Sequence, residues 1–192
     1  MLEIGGISSH NMAEAKKVTK KGFFEVKVPM TAAKIHLYAS SAEELVGKVV
    51  KLDLTRNLRG KSLELKLKVK KEGEDLVGEP ISLELIGSYV RRMMRTGIDY
   101  VEDSFVAECK DAKSIVKLFM ITRNKVSRAI RNELRNTAKK YLEGYLKTRT
   151  AKELFTEITT NKIQKELSLK FKKIYPLALC EIRVFETIVE KK

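Results

Sequence analysis

The sequence contains few of the residues on which most catalytic and metal sites depend. Its 192 residues include no tryptophan, two histidines and two cysteines. His10 and His36 stand alone, so we find no Ser-His-Asp or Cys-His arrangement for nucleophilic catalysis. Cys109 and Cys180 lack zinc-ligand spacing, and isolated thiols in apolar surroundings are typical of small core residues in a reducing compartment. We therefore expect no catalytic residue, no metal ligand, no cofactor and no small-molecule substrate.

Long apolar runs are also absent, which argues against a membrane-spanning helix and a secretory signal peptide. We expect a soluble cytoplasmic protein. At 43% hydrophobic residues the chain can bury a core, and its length fits one domain. Residues 1–21 carry glycines, serines and a lysine cluster, which predict a flexible basic tail before a single domain over 22–192. The tail lysines suit an arm laid along phosphates or a solubilising segment, and the sequence does not decide between them.

Acidic residues are scarce in one part of the chain. The net charge is +14, and residues 110–152 hold 13 Lys and Arg against 3 Asp and Glu. Such a concentration indicates a docking face for a polyanion, first a nucleic acid and second an anionic membrane surface. An ordinary basic domain with solvated lysines is the alternative.

The stretch Arg123–Lys152 has the periodicity of a two-faced helix. Its predicted apolar face consists of Val126, Ile130, Leu134, Ala138, Tyr141 and Tyr145. A second row at the same spacing consists of Arg128, Arg131, Arg135 and Lys139. The apolar face is narrow and lacks Trp and Phe, which disfavours a membrane-surface helix. The tyrosines of this region, together with Tyr175, are interpreted mainly as core residues, with stacking on bases as the alternative.

A second group of arginines follows an apolar segment. Residues 81–96 are predicted to form a helix that Gly97 ends, with arginines in its last turn. Cations there suit the helix dipole, but the forked guanidinium also favours phosphate contacts. The predicted RNA-binding residues are Arg91, Arg92, Arg95, Arg123, Lys125, Arg128, Arg131, Arg135, Lys139 and Lys140.

The remaining segments predict an α+β fold, with antiparallel strands, a barrel as one arrangement of them, and helices packed against the sheet. The strict alternation in 62–70 is the clearest strand signal. Further strands are predicted at 23–29, 34–39, 47–54, 105–109, 114–121 and 177–189, a short helical turn at 41–44, and helices at 151–160 and 161–173.

Two short patterns resemble functional sites, but we interpret neither of them as one. Asp99, Glu102 and Asp103 form the densest carboxylate cluster, and a solvated loop is favoured over the acid or metal site of a nuclease. Gly60-Lys61-Ser62 echoes the end of a phosphate-binding loop, but Thr55 stands where that loop has a glycine and a strand follows, so we dismiss it.

Five stretches carry motifs of a known family. They are F-F-E-V-K-V-P-M at 23–30, the strand at 46–54, G-S-Y-V-R-R-M-M-R-T at 87–96, the hairpin and basic helix at 105–140, and K-K-I-Y-P-L-A-L-C-E-I-R-V at 172–184. In this order they resemble the eS1 (S3Ae) family of archaeal and eukaryotic small-subunit ribosomal proteins. The chain departs from the usual family pattern in lacking the opening tryptophan, the F-x-G-H stretch and the D-G hairpin turn.

The resemblance implies a structural protein of the small-subunit platform, near the messenger exit, bound to ribosomal RNA and neighbouring ribosomal proteins. The residues alone indicate only a cytoplasmic RNA-binding domain without catalysis. The competing hypotheses are a free-standing RNA-binding regulator and, less favoured, a metal-dependent nuclease.

Overall fold

A computed structural model describes residues 20–31, 34–56, 58, 60–73 and 75–188. Within them the chain forms eight strands and five helices, and the predicted α+β class is confirmed. The strands are β1 (Gly22–Lys27), β2 (Lys34–Ala39), β3 (Val49–Asp53), β4 (Leu63–Glu72), β5 (Asp75–Leu85), β6 (Tyr100–Glu108), β7 (Lys113–Thr122) and β8 (Leu177–Ile188). The helices are α1 (Ala42–Leu45), α2 (Gly87–Met93), α3 (Arg128–Leu146), α4 (Ala151–Thr159) and α5 (Lys162–Phe171). The predicted tail lies outside the described residues except for Lys20 and Lys21.

All eight strands belong to one sheet that is organised around β5. One edge of β5 pairs with β4 along its whole length, and β3 pairs with β4 beyond it. The other edge is shared, because β8 pairs antiparallel at 82–84 and β1 pairs parallel at 76–77. The path through this edge runs β2-β1-β5-β8-β7-β6. The barrel arrangement is not supported, since the sheet is mixed and open, with β2, β3 and β6 each paired along one edge within the described residues.

The alternation predicted for residues 62–70 is confirmed in β4. Leu63, Leu65 and Leu67 are at most 1% exposed, whereas the residues between them are half-buried. A side-chain period of two places every second residue on the core face of a strand. The register shifts beside Leu67, opposite Pro80 of β5. Proline has no N–H to donate, so a bulge is a position where a paired strand tolerates it.

The predicted helix at 81–96 is wrong in its first half. Residues 81–85 belong to β5, and α2 begins only at Gly87. Leu83 and Leu85 are buried opposite Leu65 and Leu63 of β4. The alternation of leucine with polar residues here suits a strand as well as a helix face, and pairing with β4 decides the outcome. The helix ends at Met93, and Gly97, at φ +86°, turns the chain towards β6.

Helices α3, α4 and α5 form a layer against the sheet. The core between them includes Phe155 of α4 and Phe185 of β8, whose rings meet edge to face at 4.9 Å. The strand β7 is covered on both faces, since 118–121 are all buried. A strand buried on both faces appears as a continuous apolar run in sequence. No helix of the described residues is long and apolar enough to cross a membrane.

Candidate nucleic-acid interface

Helix α3 turns a buried stripe towards the sheet and a basic face outwards. Its fully buried positions are Leu134, Ala138, Leu142 and Leu146, which recur every four residues. The prediction of the buried face is confirmed for Leu134 and Ala138, whereas Leu142 and Leu146 were not part of it. Val126 precedes the helix, and Ile130, Tyr141 and Tyr145 lie half-buried at its edge. Ser127 caps the helix by accepting a hydrogen bond from the Ile130 N–H at 3.5 Å.

Most predicted cations on and before α3 reach solvent. Arg123, Lys125, Arg128, Arg135, Lys139 and Lys140 are exposed, and Arg131 is half-buried. Arg135 and Lys139 each follow a buried residue of the stripe and therefore lie about 100° further around the helix. The helix cannot rotate to hide this row without exposing its core leucines. Packing against the sheet therefore fixes the direction in which the row points.

The three arginines of the α2 region are exposed as well. Arg92 lies over the ring of Tyr89, with its guanidinium carbon 5.4 Å from the ring centre, and donates to the Gly60 carbonyl at 3.3 Å. Arg91 and Arg95 have no such restraint within the described residues and extend from the helix surface and the turn after it. These contacts orient one of the three guanidinium groups and leave the other two free to adapt to a partner.

Asp99 connects the turn after α2 with the segment before α3. Its Oδ2 accepts a hydrogen bond from the Val126 N–H at 3.0 Å, just before α3. Its backbone is held by Thr122, whose N–H donates to the Asp99 carbonyl at 2.9 Å and whose Oγ1 accepts from the Asp99 N–H at 3.1 Å. The turn after α2 is thereby attached to the segment that begins α3. The chain four residues after Arg95 is therefore in contact with the residue that follows Lys125.

The predicted solvated loop is wrong for two members of the carboxylate cluster. Glu102 and Asp103 lie in β6 and not in a solvated loop, and Glu102 forms an ion pair with Arg183 at 2.9 Å. The pairing of β6 with β7 explains the strand in spite of its acidic residues. Across the described part of the chain, no three His, Cys, Asp or Glu side chains converge as metal ligands do. Asp99 and Glu102 therefore have structural partners.

The ten predicted cations differ from many others in having no acidic partner. Within the described residues, no carboxylate oxygen lies within the 4.0 Å limit of an ion pair with any of them. Ion pairs form elsewhere: Lys27 with Asp75, Lys34 with Glu25, and Lys66 with Glu84. A cluster of unneutralised guanidinium and ammonium groups retains a strong attraction for phosphates.

A small pocket lies beside the arginine row, and sequence reasoning missed its aromatic residue. The pocket has a volume of about 220 Å³ and is lined by Tyr100, Val101, Arg128, Arg131, Asn132 and Arg135. Tyr100 begins β6 and is 54% exposed. The Nε of Arg131 is buried and has no hydrogen-bond partner in the described structure. Leaving a buried donor unsatisfied costs about 1–3 kcal/mol, so this group is poised to gain a partner.

Tyr175 is half-buried, and the other two tyrosines considered for stacking have carboxylate partners within the protein. Tyr141 donates to Glu166 at 2.8 Å, and Tyr145 donates to Glu157 at 2.9 Å. Lys170 covers the ring of Tyr141 at 3.5 Å from its centre. Burial, followed by the hydrogen bond to Glu166, raises the pKa of Tyr141 to about 12. These rings are thus held within the protein, which agrees with their interpretation as core residues.

The lysine of the dismissed Gly-Lys-Ser pattern is buried. Lys61 is 7% exposed and contacts the Glu181 carboxylate at 2.5 Å and the Asn161 side-chain oxygen at 2.7 Å. It therefore holds the loop before β4 against β8 and the α4–α5 turn. An ammonium group enclosed in this way is not available to a phosphate.

Comparison with known proteins gives the relationship of the chain. Small ribosomal subunit protein eS1 of Nanoarchaeum equitans is 26% identical over 174 residues, which cover 86% of this chain and 88% of that protein. The protein of the same name from Methanothermobacter thermautotrophicus is 29% identical over 133 residues, covering 66% and 68%. That from Methanobrevibacter smithii is 23% identical over 172 residues, covering 85% and 89%. The Ribosomal S3Ae family matches residues 10–191, nearly the whole chain, and the chain therefore belongs to this family.

Proposed function

We propose that this protein is a structural constituent of the small ribosomal subunit and acts in the cytoplasm without catalysing a reaction. Membership of the Ribosomal S3Ae family supports a structural ribosomal role. The curated relatives carry the name small ribosomal subunit protein eS1. The observation that supports binding to RNA is the group of ten cations on and around α2 and α3, which have no acidic partners within the described residues.

These cations are proposed to neutralise phosphates of ribosomal RNA. Phosphate contacts fix the position of a protein on RNA without reading its sequence, which suits a scaffold role. The core-facing leucines of α3 supply the rigid support, because they hold the row in one direction. Residues 22–192 are proposed to form the single domain that docks, and residues 1–21 the basic tail.

Neighbouring small-subunit proteins are proposed as further partners. Phe23 of β1 and Tyr38 of β2 are 76% and 60% exposed, and their ring centres lie 5.1 Å apart. An exposed aromatic pair offers the apolar area that protein interfaces use. It lies on the β1–β2 hairpin, outside the basic cluster.

Charge reversal in the row tests the proposal. Arg128, Arg131 and Arg135 are replaced together by Glu, and sedimentation of cell lysate on sucrose gradients shows whether the variant enters small subunits. We expect exclusion, because three attractive contacts become repulsive. The matched control replaces Lys27, Lys34 and Lys48 by Glu. It makes the same change in net charge at exposed lysines that already pair with carboxylates, where ion pairs contribute little to stability.

Both variants must retain the thermal unfolding of the parent protein, so that loss of incorporation cannot reflect misfolding. Normal incorporation of the row variant would show that the row is only a solvated face. Tight binding of the free monomer to short oligonucleotides, with no protein in the subunit fractions, would favour the free-standing regulator.

A further inference from the structure

We propose that the pocket beside α3 holds one unpaired nucleotide, with its base stacked on Tyr100 and its phosphate held by the arginine row. The inference rests on the proposed function and assigns a binding mode to one part of the interface. Phosphate contacts alone need no concave site and no aromatic side chain. This part of the surface has both, because Tyr100, one of two exposed tyrosines among the described residues, lines a pocket together with the row.

The aromatic side of the pocket is Tyr100. Its side chain is 54% exposed although it begins a strand that is paired through Ile121 of β7. On its inner side lies Phe119, which is fully buried, with the two ring centres 6.4 Å apart. The strand pairing and this neighbour hold the ring in place, so a base can stack on it with little loss of side-chain freedom.

The cationic side is supplied by successive turns of α3. Arg128, Arg131 and Arg135 all line the pocket, and within the described residues none of them has a carboxylate partner. The buried Nε of Arg131 has no hydrogen-bond acceptor in the described structure. A phosphate oxygen is the acceptor that a guanidinium group binds best, because the fork of N–H donors matches its geometry. An incoming phosphate would therefore satisfy a donor that the protein itself leaves unpaired.

The remaining polar group suits a base edge. Asn132 also lines the pocket and is exposed. Its side chain offers a carbonyl acceptor and an amide donor, the pair of functions that the edges of bases require. A volume of about 220 Å³ accommodates a single flat group and not a duplex. The chemistry therefore points to a splayed nucleotide from a loop or bulge, since bases within a duplex are already stacked.

The test compares Tyr100→Val, Tyr100→Phe and the control Val106→Ala in filter binding to purified small-subunit ribosomal RNA. Stacking of one base on an aromatic side chain typically changes affinity by about 5- to 100-fold, and we expect a loss in this range for Tyr100→Val. Tyr100→Phe should bind within about twofold of the parent, because stacking needs the ring and not the hydroxyl. Val106→Ala changes a similarly exposed residue of the same strand that does not line the pocket, and it sets the baseline.

Salt dependence separates stacking from charge. Tyr100→Val should leave the slope of log affinity against log salt unchanged, whereas Arg128→Gln should reduce the slope by about 1. Thermal unfolding checks the fold of each variant, and Tyr100→Thr repeats the test if valine affects stability. Parent-like affinity of Tyr100→Val overturns the inference, as does a Tyr100→Phe variant that binds as weakly as Tyr100→Val.

The two proposals fail separately. Absence of the parent protein from the subunit fractions would overturn the proposed function itself. If the triple Arg→Glu variant enters subunits normally, the row is only a solvated face and the pocket holds no phosphate. If that variant is excluded while Tyr100→Val binds like the parent, the row contacts phosphates but the pocket holds no stacked base.

Discussion

Replacing Lys61 by methionine should be among the most destabilising single changes outside the apolar core. The ammonium group lies 2.5 Å from the Glu181 carboxylate, with side chains that are 8% and 11% exposed. At an effective dielectric constant of about 20, two unit charges at this distance attract by roughly 7 kcal/mol. Burial of each ion costs several kcal/mol, so the two effects nearly cancel while both partners are present.

Removal of one partner leaves the desolvation cost of the other uncompensated. Loss of one member of a buried ion pair typically costs about 3–5 kcal/mol of unfolding free energy. In a chain of this size, each kcal/mol shifts the melting temperature by roughly 2–4 °C, so Lys61→Met should melt about 6–20 °C lower. The effect should extend to the interface, because the adjacent Gly60 carbonyl accepts the hydrogen bond from Arg92.

Calorimetry of two further variants separates burial from charge. Lys48→Met removes an ammonium group whose pair with Glu44 is half-exposed, and such pairs contribute only about 0–1 kcal/mol. The double variant Lys61→Met, Glu181→Met should recover much of the loss, since apolar residues of similar volume avoid the desolvation cost. A Lys61→Met variant that melts within about 2 °C of the parent, a shift worth no more than ~1 kcal/mol, would refute the reasoning.

Two other predictions concern the turn before β6 and the alkaline limit of stability. Asp99→Ala should weaken binding to ribosomal RNA although it removes a negative charge, because the Val126 N–H loses its acceptor. Asp99→Asn keeps an acceptor and should bind at least as well as the parent. Binding of the alanine variant that is stronger than that of the parent would contradict this role of Asp99. Burial and the Glu166 hydrogen bond raise the pKa of Tyr141 to about 12, so its stabilising contribution is complete below the ordinary value of 10.0 and is lost as pH rises towards 12. Urea unfolding should therefore show stability falling over this range, with a smaller fall in Tyr141→Phe; an equal fall would show that this tyrosine is not responsible.

Local patterns in the sequence predicted the elements whose burial has a simple period. The alternation of β4 and the four-residue spacing at Leu134 and Ala138 each match one buried face, so the period identifies both the element and its orientation. The exposed arginines of α2 and α3 follow from the same reasoning, because a helix with one buried face exposes the other.

Contacts between distant residues account for the predictions that failed. Residues 81–85 become a strand because β4 offers a partner along its whole length, which the periodicity of the segment itself does not show. The strand predicted at 105–109 left Tyr100 outside any predicted element, yet pairing with β7 extends the strand back to Tyr100 and places the ring beside Phe119. The Gly60-Lys61-Ser62 pattern gave no sign that Lys61 is buried, because its partner Glu181 lies 120 residues further along the chain.

The same long-range contacts determine which positive charges a polyanion can reach. Strand β4 is rich in lysine, yet Lys66 and Lys70 pair with Glu84 and Glu79 of β5, so the adjacent strand neutralises part of its charge. Helix α3 packs against β6, whose Glu102 and Asp103 line a pocket with Arg135. Within the described residues, however, no cation of the row forms an ion pair with these carboxylates or with Glu133. Of the 39 Lys and Arg residues, the fold thus selects a subset by where it places carboxylates. Net charge predicts that such a protein binds a polyanion, but only the pattern of ion pairs indicates the surface that does so.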